Sequence, residues 1–72
     1  MQFTVRQARA HAQMTQAEMA RHLGIDRGTY IRIEKDATRA TVGQIVKISE
    51  VTGVPSEDIF LAINSTKVDM WG

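Results

Sequence analysis

Seventy-two residues suffice for one domain built on one small hydrophobic core. The chain has no cysteine, which excludes a disulfide framework and a thiolate metal site, and no apolar run approaches a membrane span. Net charge is only +1, but it is laid out unevenly: residues 1–35 hold six basic groups against three acids, residues 36–72 three against five, so the first half is the one suited to a polyanion.

Helix starts are legible throughout. Thr4 with Gln7, Thr15 with Glu18 and Thr41 with Gln44 each fit the capping box, in which the hydroxyl accepts from a first-turn amide and the Gln or Glu reaches back to the cap's own N–H. The first helix is expected from Val5 to about Ala12, with Val5, Ala8 and Ala12 on one face and Phe3 as a hydrophobic staple. A second runs from Gln16 to Leu23, buries Met19, Ala20 and Leu23, and stops at Gly24, a natural left-handed terminator. Asp26 caps a third, Arg27 to about Lys35, with Tyr30 and Ile33 inward. The fourth spans Val42 to Thr52, places Ile45, Ile48, Ser49 and Thr52 at helical spacing, and ends at Gly53. Val54-Pro55 leads into a short fifth helix from Ser56 to about Ala62, whose early Glu57 and Asp58 suit the helix dipole.

No alternating apolar segment appears, so the fold reads as all-α. Residues 1–62 form the domain and 63–72 a tail that is either loose or at a dimer interface, its Met70-Trp71 pair solvated or packed on the core or across a dimer. The opening MQFTVRQARA lacks the apolar stretch of a signal peptide, and the expected location is cytoplasmic. Asn64-Ser65-Thr66 matches the glycosylation pattern formally and, without a secretory signal, carries no weight.

Two helix starts eleven residues apart, Thr15 and Asp26, with a glycine between, make a projecting ridge rather than a deep cleft. That stretch, T-Q-A-E-M-A-x-x-L-G-I-D-x-x-T-Y-x-x-I-E, resembles the helix-turn-helix of the phage repressor and Cro family, also called the XRE family. The resemblance continues through V-x-x-I-S-E-V-T-G-V-P-x-E-D-I-F and covers about residues 3–61. It implies a compact five-helix, lambda-repressor-like domain that binds double-stranded operator DNA as a dimer, with the third helix in the major groove.

By the same resemblance Arg27, Gly28, Ile31 and Arg32 occupy base-facing positions. The arginine forks suit guanine O6 and N7, Ile31 a thymine methyl, and Gly28 either close backbone approach or one base left unread. Gln16 matches a phosphate-gripping position, and Lys35 and Arg39 lie where the following loop meets the DNA backbone. An exposed arginine on a short helix is by itself only a solvated side chain; its register within the motif is what gives it a role. Arg9 and Glu34 match a family ion pair between helix 1 and the end of the recognition helix. Phe60, Leu61 and Ile63 are the dimer candidates, with core closure as the alternative.

Gln13 and Asp36 depart from the family pattern, each standing where relatives carry glycine. Gln13 is therefore expected in a left-handed conformation, and the Asp36 carboxylate near the phosphate path, which together with weak basicity points to modest, salt-dependent affinity. The competing reading is a regulator of the same fold that binds a partner repressor, as an antirepressor or corepressor, and Gly28 and Ile31 favour it. No enzyme, cofactor, metal or membrane role is expected: His11 and His22 fall on separate helices and no metal-ligand spacing or phosphate-cradling loop occurs.

Overall fold

The computed structural model describes residues 1–69, with side chains placed through residue 63. The elements in chain order are α1 (Val5–His11), α2 (Gln16–Leu23), α3 (Arg27–Lys35), a 3₁₀ turn (Ala37–Arg39), α4 (Val42–Thr52) and α5 (Ser56–Asp69). The described residues contain no strand, and the fold is the five-helix, all-α one that the sequence predicts.

All three capping boxes form. Thr4, Thr15 and Thr41 Oγ1 accept from the amides of Gln7, Glu18 and Gln44 at 3.0–3.1 Å. The three return bonds from the cap N–H groups span 2.8–2.9 Å. Asp26 does the equivalent alone, its Oδ2 accepting from Thr29 N at 3.1 Å and its Oδ1 from Thr29 Oγ1 at 2.6 Å. Each bond satisfies an amide that a helix start otherwise leaves without a partner, which is why these boundaries fall where the sequence puts them.

The core joins Val5 and Ala8 of α1, Met19 and Ala20 of α2, Tyr30 and Ile33 of α3, Ile45 and Ile48 of α4, and Val54 with Ile59 at the start of α5. α4 is its spine, packing against α1, α2 and α5, while α3 lies against α2 and the end of α1. Leu23, Ile25 and Phe3 are half-buried against this cluster, and Phe3 also meets the His11 ring edge-on at a centroid distance of 5.7 Å. Both histidines are exposed. Gln13 has φ +57°, the left-handed conformation expected of it.

Two expectations need correction. α1 ends at His11, with Ala12 as its cap, one residue earlier than the apolar spacing suggested. α5 is longer than predicted: it continues through Asp69 rather than closing near Ala62. No glycine or proline stands between Ser56 and Asp69, so nothing in the chain stops the helix once Ala62 has been buried. The helix thus runs on into the segment read as a tail. Met70 and Trp71 lie outside the described residues.

Candidate nucleic-acid interface

The geometry of the ridge begins at the turn between α2 and α3. Gly24 takes φ +68°, a conformation cheap only for glycine. Its N–H donates to Arg21 O, and Ile25 N donates to Ala20 O at 3.1 Å, the Schellman arrangement that closes a helix on its own backbone. Ile25 half-buries beneath the turn. Asp26 then starts α3 at once, and the first two residues of the helix, Arg27 and Gly28, are exposed.

One face of α3 is locked down. Tyr30 and Ile33 are buried, and Glu34 gathers four donated bonds. Its Oε2 accepts from Arg9 Nε and from the Tyr30 hydroxyl, both at 2.5 Å. Its Oε1 accepts from Gln16 Nε2 at 3.1 Å and from Arg9 Nη2 at 3.4 Å. Arg9 spends a further N–H on the Met14 carbonyl at 2.8 Å. The carboxylate side chain is 7% exposed and the arginine 17%, so this is a partly buried network joining α1, α2 and α3. Burial pushes the Glu34 carboxyl up, but the bonds from Arg9, Tyr30 and Gln16 together outweigh it and hold the group below the usual carboxylate range. Burial and the neighbouring carboxylate drive the Tyr30 hydroxyl strongly upward, so it stays a donor.

The opposite face carries Arg27, Gly28, Ile31, Arg32 and Lys35. All are exposed except Ile31, which is half-buried and offers part of its side chain outward. A Cβ at Gly28 would stand 3.1 Å from Asp26 Oδ2, so the missing side chain also keeps the cap carboxylate unobstructed. Arg32 and Lys35 continue into a surface cleft completed by Asp36 and Arg39. An adjoining cleft, sharing Arg32 and Arg39, is lined by Thr29, Ile33, Thr41 and Gln44. Three cations therefore meet where α3 hands over to the 3₁₀ turn. Asp36 initiates that turn, its Oδ1 accepting from Thr38 N at 3.1 Å and Thr38 Oγ1 at 2.5 Å.

Most of the residues the sequence nominates for this surface share one side of the molecule, but Gln16 is placed differently. Its side-chain amide points inward to Glu34, which leaves one N–H and the backbone amides of Gln16 and Ala17 to meet an anion, the Glu18 amide being held by Thr15. Among the dimer candidates Leu61 is 48% exposed, whereas Phe60 and Ile63 are half-buried against the core. Ile63 also lines a groove with Thr4, Val5 and Lys35–Thr38. Sequence reading missed the Tyr30 hydroxyl and the Gln16 amide as partners of Glu34, and the 3₁₀ turn. The Asp36-x-Thr38 spacing, an Asx-turn signal, was the clue to that turn.

Among the described residues there is no cluster of His, Asp or Glu able to hold a metal ion, and no helix is long and apolar enough to cross a membrane. No curated protein and no solved structure matches the chain. A helix-turn-helix family model does match, over residues 5–59, from the start of α1 into α5. The match takes in the locked inner face of α3, the Gly24 turn and the exposed basic stripe together. The chain belongs to this helix-turn-helix family, the XRE-type DNA-binding transcription regulators.

Proposed function

We propose that the protein is a sequence-specific regulator of the phage Cro and repressor type, acting as a homodimer that lays α3 in the major groove of operator DNA. The observation that carries this reading is the division of α3 into two faces: one fixed by Tyr30, Ile33 and Glu34, the other free and bearing Arg27 and Arg32. A reading head must be rigid on its inner side so that its donor forks meet base edges in one register. Arg27 and Arg32 take guanines, Ile31 a thymine methyl, and Gly28 lets the backbone come near. Lys35, Arg39 and the remaining N–H of Gln16 meet phosphates, which set register without reading sequence. Leu61, with Phe60 and Ile63 beside it on α5, supplies the contact between copies, so that two recognition helices lie about 34 Å apart, one turn of the duplex.

The test is a mobility shift with fragments of the protein's own genome at two salt concentrations, with and without any repressor encoded beside it. Binding of one fragment by the protein alone, weakened at least about thirtyfold in Arg27→Ala/Arg32→Ala, is the expected result, since each bidentate contact contributes about 1–3 kcal/mol. A shift that appears or vanishes only with the neighbouring repressor would replace this reading with that of an antirepressor or corepressor.

A further inference from the structure

We infer that Asp36 is a built-in brake on DNA affinity: its carboxylate stands on the phosphate path, among the three cations that would hold the backbone. The inference rests on the DNA reading above and adds a determinant of strength to it.

Asp36 lines the same cleft as Arg32, Lys35 and Arg39. Its two oxygens have separate tasks. Oδ1 takes both bonds from Thr38, which pins the side chain and starts the 3₁₀ turn. Oδ2 is the oxygen that faces Arg39, 3.9 Å from its Nε. Capping needs only an oxygen acceptor, which Asn or Ser also provides. The cap therefore explains one oxygen and leaves the negative charge unexplained.

The charge does little for the fold. Arg39 is 65% exposed and Asp36 52%, so the pair is a solvated one of the kind that contributes little to stability. The bonds from Thr38 hold the carboxyl below its ordinary range, so it stays ionised at any pH at which the protein would bind DNA. Arg39 can swing out toward a phosphate; Asp36, held by Thr38, cannot swing away. A phosphate drawn into the cleft must then sit beside a fixed carboxylate. At a separation of roughly 6 Å and an effective dielectric constant between about 40 and 80, that repulsion weakens binding by about three- to tenfold. Because phosphates carry no sequence information, the penalty applies to every duplex alike. The consequence is a protein that releases DNA readily and whose binding falls less steeply with salt than it would without the carboxylate.

The experiment compares wild type, Asp36→Asn and Asp36→Ser by fluorescence anisotropy on a labelled random-sequence duplex of about 30 base pairs, a probe that reads the phosphate contacts alone. Titrations are run at about 50 and 300 mM salt, which moves the screening length from well above the charge separation to near it. Both variants keep the acceptor for Thr38 and remove the charge, and a thermal melt of each checks that the fold is intact. The inference expects tighter binding by both variants, about three- to tenfold at the lower salt, with the gap closing at the higher. Equal binding by all three proteins, or a gain undiminished by salt, overturns the brake while leaving the DNA reading in place. If none of the three binds any duplex, the DNA reading falls and the brake with it.

Discussion

The turn at Gly24 and the turn at Gly53 both break a helix with a residue at positive φ, +68° and +79° respectively. Both are followed by a β-branched residue that packs beneath the turn, Ile25 in one case and Val54 in the other. They differ in what completes them and in what they launch. At Gly24 the backbone closes on itself with two bonds, and a single aspartate starts the next helix. At Gly53 only one backbone bond closes the helix, Gly53 N to Ser49 O. The Thr52 hydroxyl makes up the difference, donating to Ile48 O at 2.7 Å and accepting from Val54 N at 3.2 Å. The first turn launches α3, anchored through the charged group Glu34 and free on its basic side. The second launches α5, anchored by the apolar side chains of Ile59 and Ala62. The same glycine device thus serves a reading head in one place and core closure in the other. What separates them is the chemistry of the anchor and of the face left outside.

The largest effect that could break this comparison is loss of the polar anchor. Glu34→Ala strands a guanidinium, a tyrosyl hydroxyl and an amide in a partly buried site, and should cost about 3–5 kcal/mol. A melting midpoint lower by about 12 °C or more checks it. The two anchors should also differ in their response to acid. Because Glu34 is held below its ordinary value of 4.5, its share of stability is full above that pH and is lost as pH falls through the lowered value. Denaturant melts from pH 6 down to pH 2 should show this loss in wild type and not in Glu34→Gln. An unchanged midpoint in Glu34→Gln at neutral pH would mean that the ion pair holds nothing. Replacing Ile59 by Ala, by contrast, should cost about 2–5 kcal/mol with no contribution of its own to the acid response, since nothing titratable is removed.

A smaller effect sharpens the comparison. A Cβ at Gly24 or at Gly53 would meet nothing within 4 Å, so an alanine at either is opposed by backbone conformation alone. Gly24→Ala and Gly53→Ala should each destabilise by about 1–2 kcal/mol, equal within error in chemical denaturation. They should part in function: only the change at Gly24 tilts α3, so only it should weaken DNA binding beyond the loss of folded protein.

The fold was legible where its signals are local. The capping boxes, Asp26 and the two glycines each act within four residues of chain, and they located the starts of α1 to α4 and the ends of α2 and α4, while Val54-Pro55 and the early acids located the start of α5. Gln13 was readable only through the family resemblance, since it stands where relatives carry glycine, and its φ is +57°. The length of α5 was not, because the absence of a stop signal is a weaker cue than its presence. Arg9 and Glu34, twenty-five residues apart, could be paired only through the family resemblance. The Tyr30 hydroxyl and Gln16 amide were invisible because their meeting depends on how α1, α2 and α3 cross. Tyr30 was read as core by its register, and it is; a residue's face tells where its ring goes and not where its hydroxyl ends.

DNA reading by this fold requires the outward face of α3 to be the one that meets the duplex. Amide NMR of the labelled protein, titrated with the duplex recovered in the shift experiment, tests this directly. The largest changes should fall on Arg27, Gly28, Ile31 and Arg32, extend through Lys35 to Arg39, and reach the first turn of α2 at Gln16. Changes confined to α4 and α5, around Val46, Lys47 and Leu61, with Arg27 to Arg32 unmoved, would contradict it.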